Sequence, residues 1–219
     1  ELTNGPKRAI GKIGQALDFD GADDYVNGGN SSTLSFTATD SKFSLSGWAK
    51  LDAYNNGTEA STVVGKWLGI GSNRSYAFGV NSSGVPIFEI SVDGATVAMT
   101  LTATTVLSLN TWYHLTAVAD IGTDVFKIYV NGVEEATTGS AAISSIFNGT
   151  SNVNFGAAKD GTDDLFNGLI DEVRVYNRAL TTDEVKRLYK IGSTFVVNKT
   201  RKDTLNEGLV GHWSFDGPD

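Results

Sequence analysis

The 219-residue sequence predicts an all-β fold, an antiparallel sandwich of two sheets with one short helix near the C-terminal side. Short runs rich in Val, Ile, Phe, Tyr and Thr recur along the chain, and clusters of Gly, Asn, Asp and Ser separate them. Turns depend on Gly and Asn, since the sequence holds 25 Gly but only 3 Pro. Apolar residues spaced three and four apart, the pattern typical of a helix, follow a helix-start signal only around residues 182–190. Together these observations favour a β-sandwich.

The strand runs share an enrichment in β-branched and aromatic residues. Asn131-Gly132 stands between two of them and predicts a hairpin, because both residues tolerate the positive φ of a type I′ turn. Asp93-Gly94 predicts a second hairpin in the same way. The predicted strands are residues 16–19, 43–51, 76–80, 87–92, 95–102, 112–119, 126–130, 153–155 and 169–176.

A strand, a turn and a helix start follow one another in residues 166–184. Thr181, followed three residues later by Glu184, has the pattern of a capping box. Asp171 shares its predicted strand face with apolar residues, so we expect its carboxylate to be hydrogen-bonded, ion-paired or bound to a metal. Period-two alternation defines that face as Leu169, Asp171, Val173 and Val175.

Three segments, in this order, resemble motifs of laminin-G-like domains of the concanavalin A-like superfamily. They are ALDFDGADDYV at residues 16–26, NTWYHLTAV with FKIYVNGV between residues 110 and 133, and GLIDEVRVYNRALTTDE at residues 168–184. The resemblance covers roughly residues 10 to 191 and implies that the two sheets form a jelly roll. It implies less about function, because this fold carries lectins, adhesins, hydrolases and inert spacers.

Composition excludes several classes of function. A net charge of −8 argues against a nucleic-acid partner and is compatible with calcium or a neutral glycan. There is no Cys, so the protein has neither disulfides nor thiol chemistry. No apolar run approaches the roughly 20 residues that span a bilayer, so we expect no membrane insertion. The sequence shows no signal peptide and begins abruptly, so we expect it to be a piece of a longer protein.

Acidic residues form one cluster in residues 18–24 and another in residues 160–164. The resemblance implies a calcium ion on an edge loop near the opening and closing motifs, with Asp20, Asp24 and Asp171 as its ligands. Carboxylates and loop carbonyls are the oxygen ligands that calcium prefers. The alternative is that these aspartates cap turns of their own backbone. The sequence leaves both open.

Strand alternation also predicts a binding surface away from the core. Flat aromatic rings beside hydrogen-bonding groups suit a sugar ring, so this surface predicts a glycan ligand. The alternative is that Trp48 and Trp112 are covered by loops and belong to a satellite core, as large aromatics usually do. The residues predicted to share the outer face are Trp48, Glu89, His114, Lys127 and Tyr129.

The sequence predicts no catalytic activity. Related glucanases place their carboxylates in a Glu-x-Asp-x-x-Glu run, which is absent here, and adjacent acids on one strand face opposite sides. We therefore expect a non-catalytic carbohydrate-binding or adhesion module of a larger secreted or cell-surface protein, with a glycan or matrix polymer as partner. A structural spacer without its own ligand is the alternative, and a polysaccharide-active enzyme domain is the residual one.

The predicted organisation is a jelly roll at residues 1–192, a linker at 193–207 and a further strand at 208–219. The last segment, GLVGHWSFDG, resembles the start of such a domain, which indicates either a tandem array or a permuted chain. Alternation places Leu209, Trp213 and Phe215 on one apolar face that requires burial. This strand would close its own sandwich in a monomer or a neighbour's in a strand-swapped dimer.

Overall fold

The computed structural model describes residues 1–55, 60–68, 71–158, 164–193 and 204–217. These residues form two antiparallel sheets and one α-helix, which confirms the predicted jelly-roll sandwich. The strands are β1 (Leu2–Thr3), β2 (Lys7–Ile10), β3 (Gln15–Asp20), β4 (Tyr25–Asn27), β5 (Lys42–Leu51), β6 (Ser61–Leu68), β7 (Asn73–Val80), β8 (Pro86–Ile90), β9 (Met99–Thr102), β10 (Tyr113–Asp120), β11 (Val125–Val130), β12 (Val133–Glu134), β13 (Asn154–Phe155), β14 (Asn167–Tyr176) and β15 (Leu209–Trp213), and the helix is α1 (Thr182–Ser193).

The seven-stranded sheet has the order β1-β4-β13-β6-β7-β8-β9, and the eight-stranded sheet has the order β12-β11-β10-β5-β14-β3-β2. Six of the twelve neighbouring pairs in these orders join strands that are consecutive in the chain, and the other six join strands that are distant in sequence. The Asn131-Gly132 hairpin is confirmed, with φ of 52° and 77° at its two residues. The second predicted hairpin joins β8 to β9 through a longer loop, and its second strand begins at Met99 rather than Ala95.

The main core lies between the sheets, and period-two alternation locates most of it. Predicted inward residues that are buried in this core include Phe43, Leu45, Ala49, Leu51, Phe88, Ile90, Leu115, Ala117, Phe126, Ile128 and Val130. Val92, predicted to be inward, lies beyond the end of β8 and is 41% exposed. Strand β6 is not predicted, because Gly65 and Lys66 interrupt its apolar residues and two register shifts break its alternation.

Strand β14 contains a bulge that changes which of its residues face the core. Glu172 and Val173 together lie opposite Gly47, and Glu172 has a positive φ of 53°. The predicted grouping of Asp171 with Val173 on one face is therefore wrong. Before the bulge Asp171 faces outward, opposite the outward-facing Trp48, and after it Val173 faces the core.

Helix α1 covers part of the outer face of the eight-stranded sheet. Its capping box is confirmed: Glu184 N donates to Thr181 Oγ1 at 3.3 Å, and Thr181 N donates to Glu184 Oε2 at 3.0 Å. The apolar side of the helix and the loop before it form a second small core with the sheet. This second core contains Val118, Tyr129, Tyr176, Leu180, Val185 and Leu188.

The C-terminal strand β15 pairs with the second half of β14, while β3 pairs with the first half. A register shift separates Leu209, which packs beside the α1 core, from Trp213, which packs on the main core. The predicted single face of Leu209, Trp213 and Phe215 is therefore wrong, because the shift intervenes. Residues 194–203 of the predicted linker lie outside the described residues.

Candidate functional site

The five residues predicted to share one outer face are divided between the two sheets. Trp48, His114, Lys127 and Tyr129 stand on β5, β10 and β11 of the eight-stranded sheet. Glu89 stands on β8 of the seven-stranded sheet, so it cannot join them. Alternation identifies the outward side of a strand but not the sheet to which the strand belongs, which is why Glu89 was misplaced.

Trp48 and His114 face outward as predicted but are covered, with exposures of 1% and 0%. The Trp48 ring lies 5.2 Å from the His114 ring and 5.7 Å from the Tyr189 ring of α1. The ammonium of Lys12 lies 4.9 Å from the centre of the Trp48 ring. Trp48 is therefore a packing residue, but helix α1 covers it rather than the loops that the satellite-core alternative expected, and Trp112 is half-buried.

His114 is held in its neutral form. Burial, together with the nearby charge of Arg174, lowers its pKa to about 3. Its Nε2 forms a hydrogen bond with Ser46 Oγ at 3.0 Å. His114 therefore has neither the exposure nor the charge to contact a ligand in this structure.

Lys127 and Tyr129 line an accessible cleft of about 230 Å³ where the N-terminus of α1 meets β10 and β11. The sequence identified these two residues but not the segment that faces them, because residues 179–182 reach the cleft only through the docking of α1. We refer to this site as the helix cleft. It is lined by Val118, Asp120, Thr123, Val125, Lys127, Tyr129, Ala179, Leu180, Thr181 and Thr182.

The charged groups around the helix cleft are paired. Lys127 Nζ lies 3.0 Å from a Glu134 carboxylate oxygen at the rim. Asp120 is the acidic residue that lines the cleft, and its Oδ2 accepts a hydrogen bond of 2.8 Å from Lys42 Nζ. The cleft therefore has little uncompensated charge, and it combines the apolar side chains of Val118 and Leu180 with polar neighbours.

Hydroxyl groups give the helix cleft its hydrogen-bonding capacity. Tyr129 OH lies 3.1 Å from Thr182 Oγ1 and donates to Glu134 Oε2 at 3.2 Å. Burial raises the pKa of Tyr129, so its hydroxyl stays protonated at neutral pH. Thr123 and Thr181 add two further hydroxyls to the lining. Such a mixture of apolar surface and hydroxyls can bind a polyhydroxylated ring.

A second constellation, of three carboxylates, lies in the loop after β3. Ligand oxygens of Asp20, Asp23 and Asp24 lie within 4.8 Å of one another. Burial raises the pKa of Asp24, and the charges of Asp20 and Asp23 add to this effect. Asp20 and Asp24 also cap turns, since they accept hydrogen bonds from Ala22 N and Asp20 N at 2.8 and 3.1 Å.

These three side chains fit a hard cation, because clustered carboxylate oxygens repel one another until a cation compensates them. The sequence prediction names Asp20 and Asp24 but not Asp23. The reason is that the sequence of this loop does not distinguish Asp23 from the acidic residues beside it. Asp164, at 8% exposure, instead accepts a hydrogen bond from Ala60 N at 3.0 Å. Asp160 and Asp163 of the second predicted cluster lie outside the described residues.

The structure does not bring Asp171 to this carboxylate cluster. In the β14–β3 ladder Asn167, not Asp171, lies opposite Asp20. Asp171 is four residues further along β14, a separation of about 13 Å in a strand. Its Oδ2 accepts a hydrogen bond from Ile13 N at 2.9 Å. The three predicted ligands therefore cannot share one ion.

A two-sheet jelly roll with a hydroxyl-rich cleft on its face has the architecture of a lectin-like domain. The chain belongs to the concanavalin A-like lectin/glucanases superfamily, since a laminin G model of that superfamily matches residues 20–186. This finding confirms the family to which the sequence motifs pointed. A comparison with curated protein sequences finds no match.

Several solved structures share the fold. The binding domain of Paraclostridial Mosquitocidal Protein 1 aligns with a TM-score of 0.69 and 15% identity, over 87% of this chain and 47% of that one. The binding domain of botulinum neurotoxin serotype G aligns with a TM-score of 0.66 and 17% identity, over 89% and 47%. This chain spans about half of each toxin domain.

Domain 4 of AbnA, a GH43 extracellular arabinanase from Geobacillus stearothermophilus solved with arabinotriose, aligns with a TM-score of 0.61. The two chains are 22% identical, and the alignment covers 85% of this chain and 82% of that domain. At these identities the likeness establishes the fold. Among the described residues, no helix is both long and apolar enough to cross a membrane.

Proposed function

We propose that this chain is a non-catalytic carbohydrate-binding or adhesion module of a larger secreted or cell-surface protein, and that the helix cleft holds the glycan. The observation that carries the proposal is the composition of the cleft. Its apolar side chains suit the C–H face of a sugar, and its threonine and tyrosine hydroxyls suit the sugar's hydroxyl groups. The paired charges at the rim favour a neutral sugar over a charged one.

The structural relatives support this class of ligand. The arabinanase domain was solved with arabinotriose, a neutral oligosaccharide, and belongs to an extracellular enzyme. The two toxin relatives are described as binding domains. These properties belong to those proteins, and they support an extracellular, glycan-directed role for this chain.

The lining of the helix cleft supports a non-catalytic role. A retaining glycosidase needs two carboxyl groups about 5–5.5 Å apart across the scissile bond. The described lining contains the single carboxylate of Asp120, which is paired with Lys42. We therefore expect no release of reducing sugar from soluble polysaccharides. Release that disappears on substitution of one acidic residue would contradict the proposal.

Glycan binding is best tested on the full chain with a glycan array, followed by affinity electrophoresis in gels that contain the polysaccharides it selects. Tyr129→Phe removes one hydroxyl from the cleft, and Lys127→Ala removes its cation. We expect each variant to weaken binding about tenfold, whereas Lys186→Ala, an exposed lysine of α1 outside the cleft, serves as the matched control. Equal binding by all three variants would place the ligand elsewhere.

A structural spacer is the alternative function. Absence of binding to every glycan on the array, and to matrix polysaccharides in gels, would favour the spacer. The observation that favours the spacer is that the charges at the cleft are already paired and need no ligand.

We also propose that Asp20, Asp23 and Asp24 hold a calcium ion. Their close approach and the raised pKa of Asp24 support a cation that would offset their mutual repulsion. For the assembly we propose a monomer, supported by the pairing of β15 with β14 of the same chain.

A further inference from the structure

A second cavity of about 230 Å³ lies between the loop that follows β4 and the segment that precedes β13. We refer to it as the loop cavity. Among the described residues that line it, none is acidic and none is aromatic, in contrast to the helix cleft. The cavity is lined by Asn30, Ser32, Ser35, Asn148, Gly149 and Thr150.

A buried lysine supports both walls of the loop cavity. Lys66 on β6 is 0% exposed and lies opposite Tyr76 of β7, a member of the main core. Because directly opposed residues share a face, the Lys66 side chain enters the sandwich interior. Its Nζ donates to Asn30 Oδ1 in one wall, and to the carbonyl oxygen of Ser151, next to the other wall, at 2.7 Å.

The charge of Lys66 has no described counter-ion. Among the described residues, Lys66 donates hydrogen bonds to an amide oxygen and a backbone carbonyl, and no carboxylate forms an ion pair with it. An ammonium group has three donors, so one remains beyond these two. Burial lowers the pKa of Lys66, which reflects the cost of a buried cation that lacks an anion.

Hydrogen bonds hold the walls of the loop cavity in place. Some of the polar side chains that line the cavity take no part in these bonds. Asn30 Nδ2 donates to Thr150 O at 3.0 Å and so joins the two walls. Thr150 N donates to Asn73 Oδ1 at 2.9 Å, and Gly149 N donates to Ser75 Oγ at 3.1 Å. The side chains of Ser32, Ser35 and Asn148, in contrast, have no hydrogen bond to any described residue and remain available to a ligand.

We propose that the loop cavity binds an oxyanion, the carboxylate or sulfate group of an acidic sugar. The ammonium of Lys66 would supply the compensating charge from behind the walls, and Ser32, Ser35 and Asn148 would donate hydrogen bonds. This site is separate from the helix cleft and does not depend on it. The overall charge of −8 opposes anions at long range, so binding is best measured near physiological ionic strength, where such repulsion is screened.

The test titrates the full chain with sodium glucuronate, sodium sulfate and, as the neutral comparison, glucose, at constant ionic strength. We expect glucuronate to shift the NMR signals of the Gly149 and Thr150 amides and to raise the pKa of Lys66, and glucose to do neither. Lys66→Met removes the charge at similar volume and should weaken glucuronate binding at least tenfold. Lys186→Met, at an exposed position of α1 that lines neither cavity, should leave it unchanged.

Lys66 is buried, so its substitution affects stability as well as binding. A second variant at the surface, where a substitution leaves the fold intact, is therefore measured beside it. Asn148→Asp places a negative charge at the exposed rim and should also weaken glucuronate binding at least tenfold. Equal affinity of both variants and the unchanged protein, or an equal response to glucose, would overturn the proposal. A response to sulfate without one to glucuronate would overturn the acidic sugar and leave a site for a free oxyanion.

Discussion

The backbone amide of Ile13 donates a hydrogen bond of 2.9 Å to Oδ2 of Asp171, a residue with 0% exposure. Asp171 lies in β14, and Ile13 lies in the turn between β2 and β3, so this bond ties the N-terminal hairpin to the centre of the eight-stranded sheet. A Cβ on Gly11 would lie 2.7 Å from the same oxygen, so glycine is required at that position. Of the roles expected for this buried carboxylate, hydrogen bonding is therefore the one observed.

Asp171 should make stability depend on pH near neutrality. Burial raises its pKa to about 7, and the charge of Glu172 adds to the effect, whereas the unfolded chain has a value near 3.8. The native state therefore binds this proton more tightly, so the free energy of unfolding falls as pH rises from about 4 to about 7. Urea denaturation at pH 5 and pH 8 should show a fall of about 2–4 kcal/mol in the unchanged protein.

The variant Asp171→Asn removes this titration and keeps an acceptor for Ile13 N. We expect its unfolding free energy to lack that fall, while Asp40→Asn, at an exposed position, should behave like the unchanged protein. Parallel pH profiles for the Asp171→Asn variant and the unchanged protein would show that Asp171 does not titrate in this range.

Calcium should stabilise the fold through the Asp20, Asp23 and Asp24 cluster. A ligand that binds the native state alone stabilises it by about 2.7 kcal/mol at a hundred times its dissociation constant. We expect a higher melting temperature in excess calcium than in chelator, and we expect Asp24→Asn to abolish the difference. Identical melting temperatures of the unchanged protein under the two conditions would contradict the calcium proposal.

A matched variant separates this site from the other predicted ligand. Asp171→Ala should lower the melting temperature in calcium and in chelator alike, because its carboxylate holds Ile13 rather than the metal cluster. If Asp171→Ala instead removes the calcium response, the β14 carboxylate takes part in metal binding after all.

Local periodicity predicted the fold well, because a strand that faces a core alternates whatever its neighbours are. Phe43 and Leu45 on β5 and Phe126 and Ile128 on β11 are inward as expected. The bulge at Glu172 was not predictable in this way, since no glycine marks its positive φ. The bulge moves Val173 to the core side of the sheet, and this change of side depends on the pairing of β14 with β5.

The candidate sites depend on contacts between distant segments, so the sequence predicted them only in part. Trp48 was correctly placed on an outer face, yet its burial depends on the docking of α1 more than 130 residues later, where Tyr189 packs against it. The loop cavity joins Asn30 to Thr150 through Lys66, and strand β6, which carries Lys66, has no regular alternation. Neither arrangement leaves a local signal in the sequence.

Glu184 should be the most important carboxylate for anchoring α1. Arg178 donates to its two oxygens at 2.7 and 2.9 Å, and Thr204 Oγ1 donates at 2.8 Å. Burial alone would raise its pKa, but the hydrogen bonds from Arg178, Thr181 and Thr204 lower it to about 2. A lowered native pKa stabilises the protein above the unfolded value of 4.5, and this stabilisation is lost as pH falls towards 2.

We expect Glu184→Gln to lower the free energy of unfolding by about 2 kcal/mol at pH 7 and by much less at pH 3. Asp183→Asn, an exposed acid in the same first turn, is the control and should change stability by less than about 0.5 kcal/mol. An equal loss at both pH values would mean that packing, rather than the charge of Glu184, accounts for the effect.

Strand β15 should be necessary for stability. It adds backbone pairing to Val173–Tyr176, and the Trp213 ring lies 4.6 Å from the Phe155 ring in the core. Phe215 lies 6.4 Å from Phe155, and its carbonyl accepts a hydrogen bond from Arg8, so the tail contacts both sheets. Deletion of everything after Asn206 should cost about 3 kcal/mol or more, because two half-buried aromatic side chains and a strand are lost.

The deletion is measured by thermal and urea unfolding beside a control that lacks only residues 218–219. Trp213→Ala in the full chain should reproduce much of the loss, since Trp213 carries the main contact with Phe155.

Light scattering of the full chain should give a monomer at all concentrations, as expected for a strand that closes its own sandwich. A dimer that grows with concentration would indicate exchange of β15 between copies, because the same contacts form when the strand comes from a neighbour. Equal melting of the deleted and full chains would show that β15 contributes nothing to the stability of this domain.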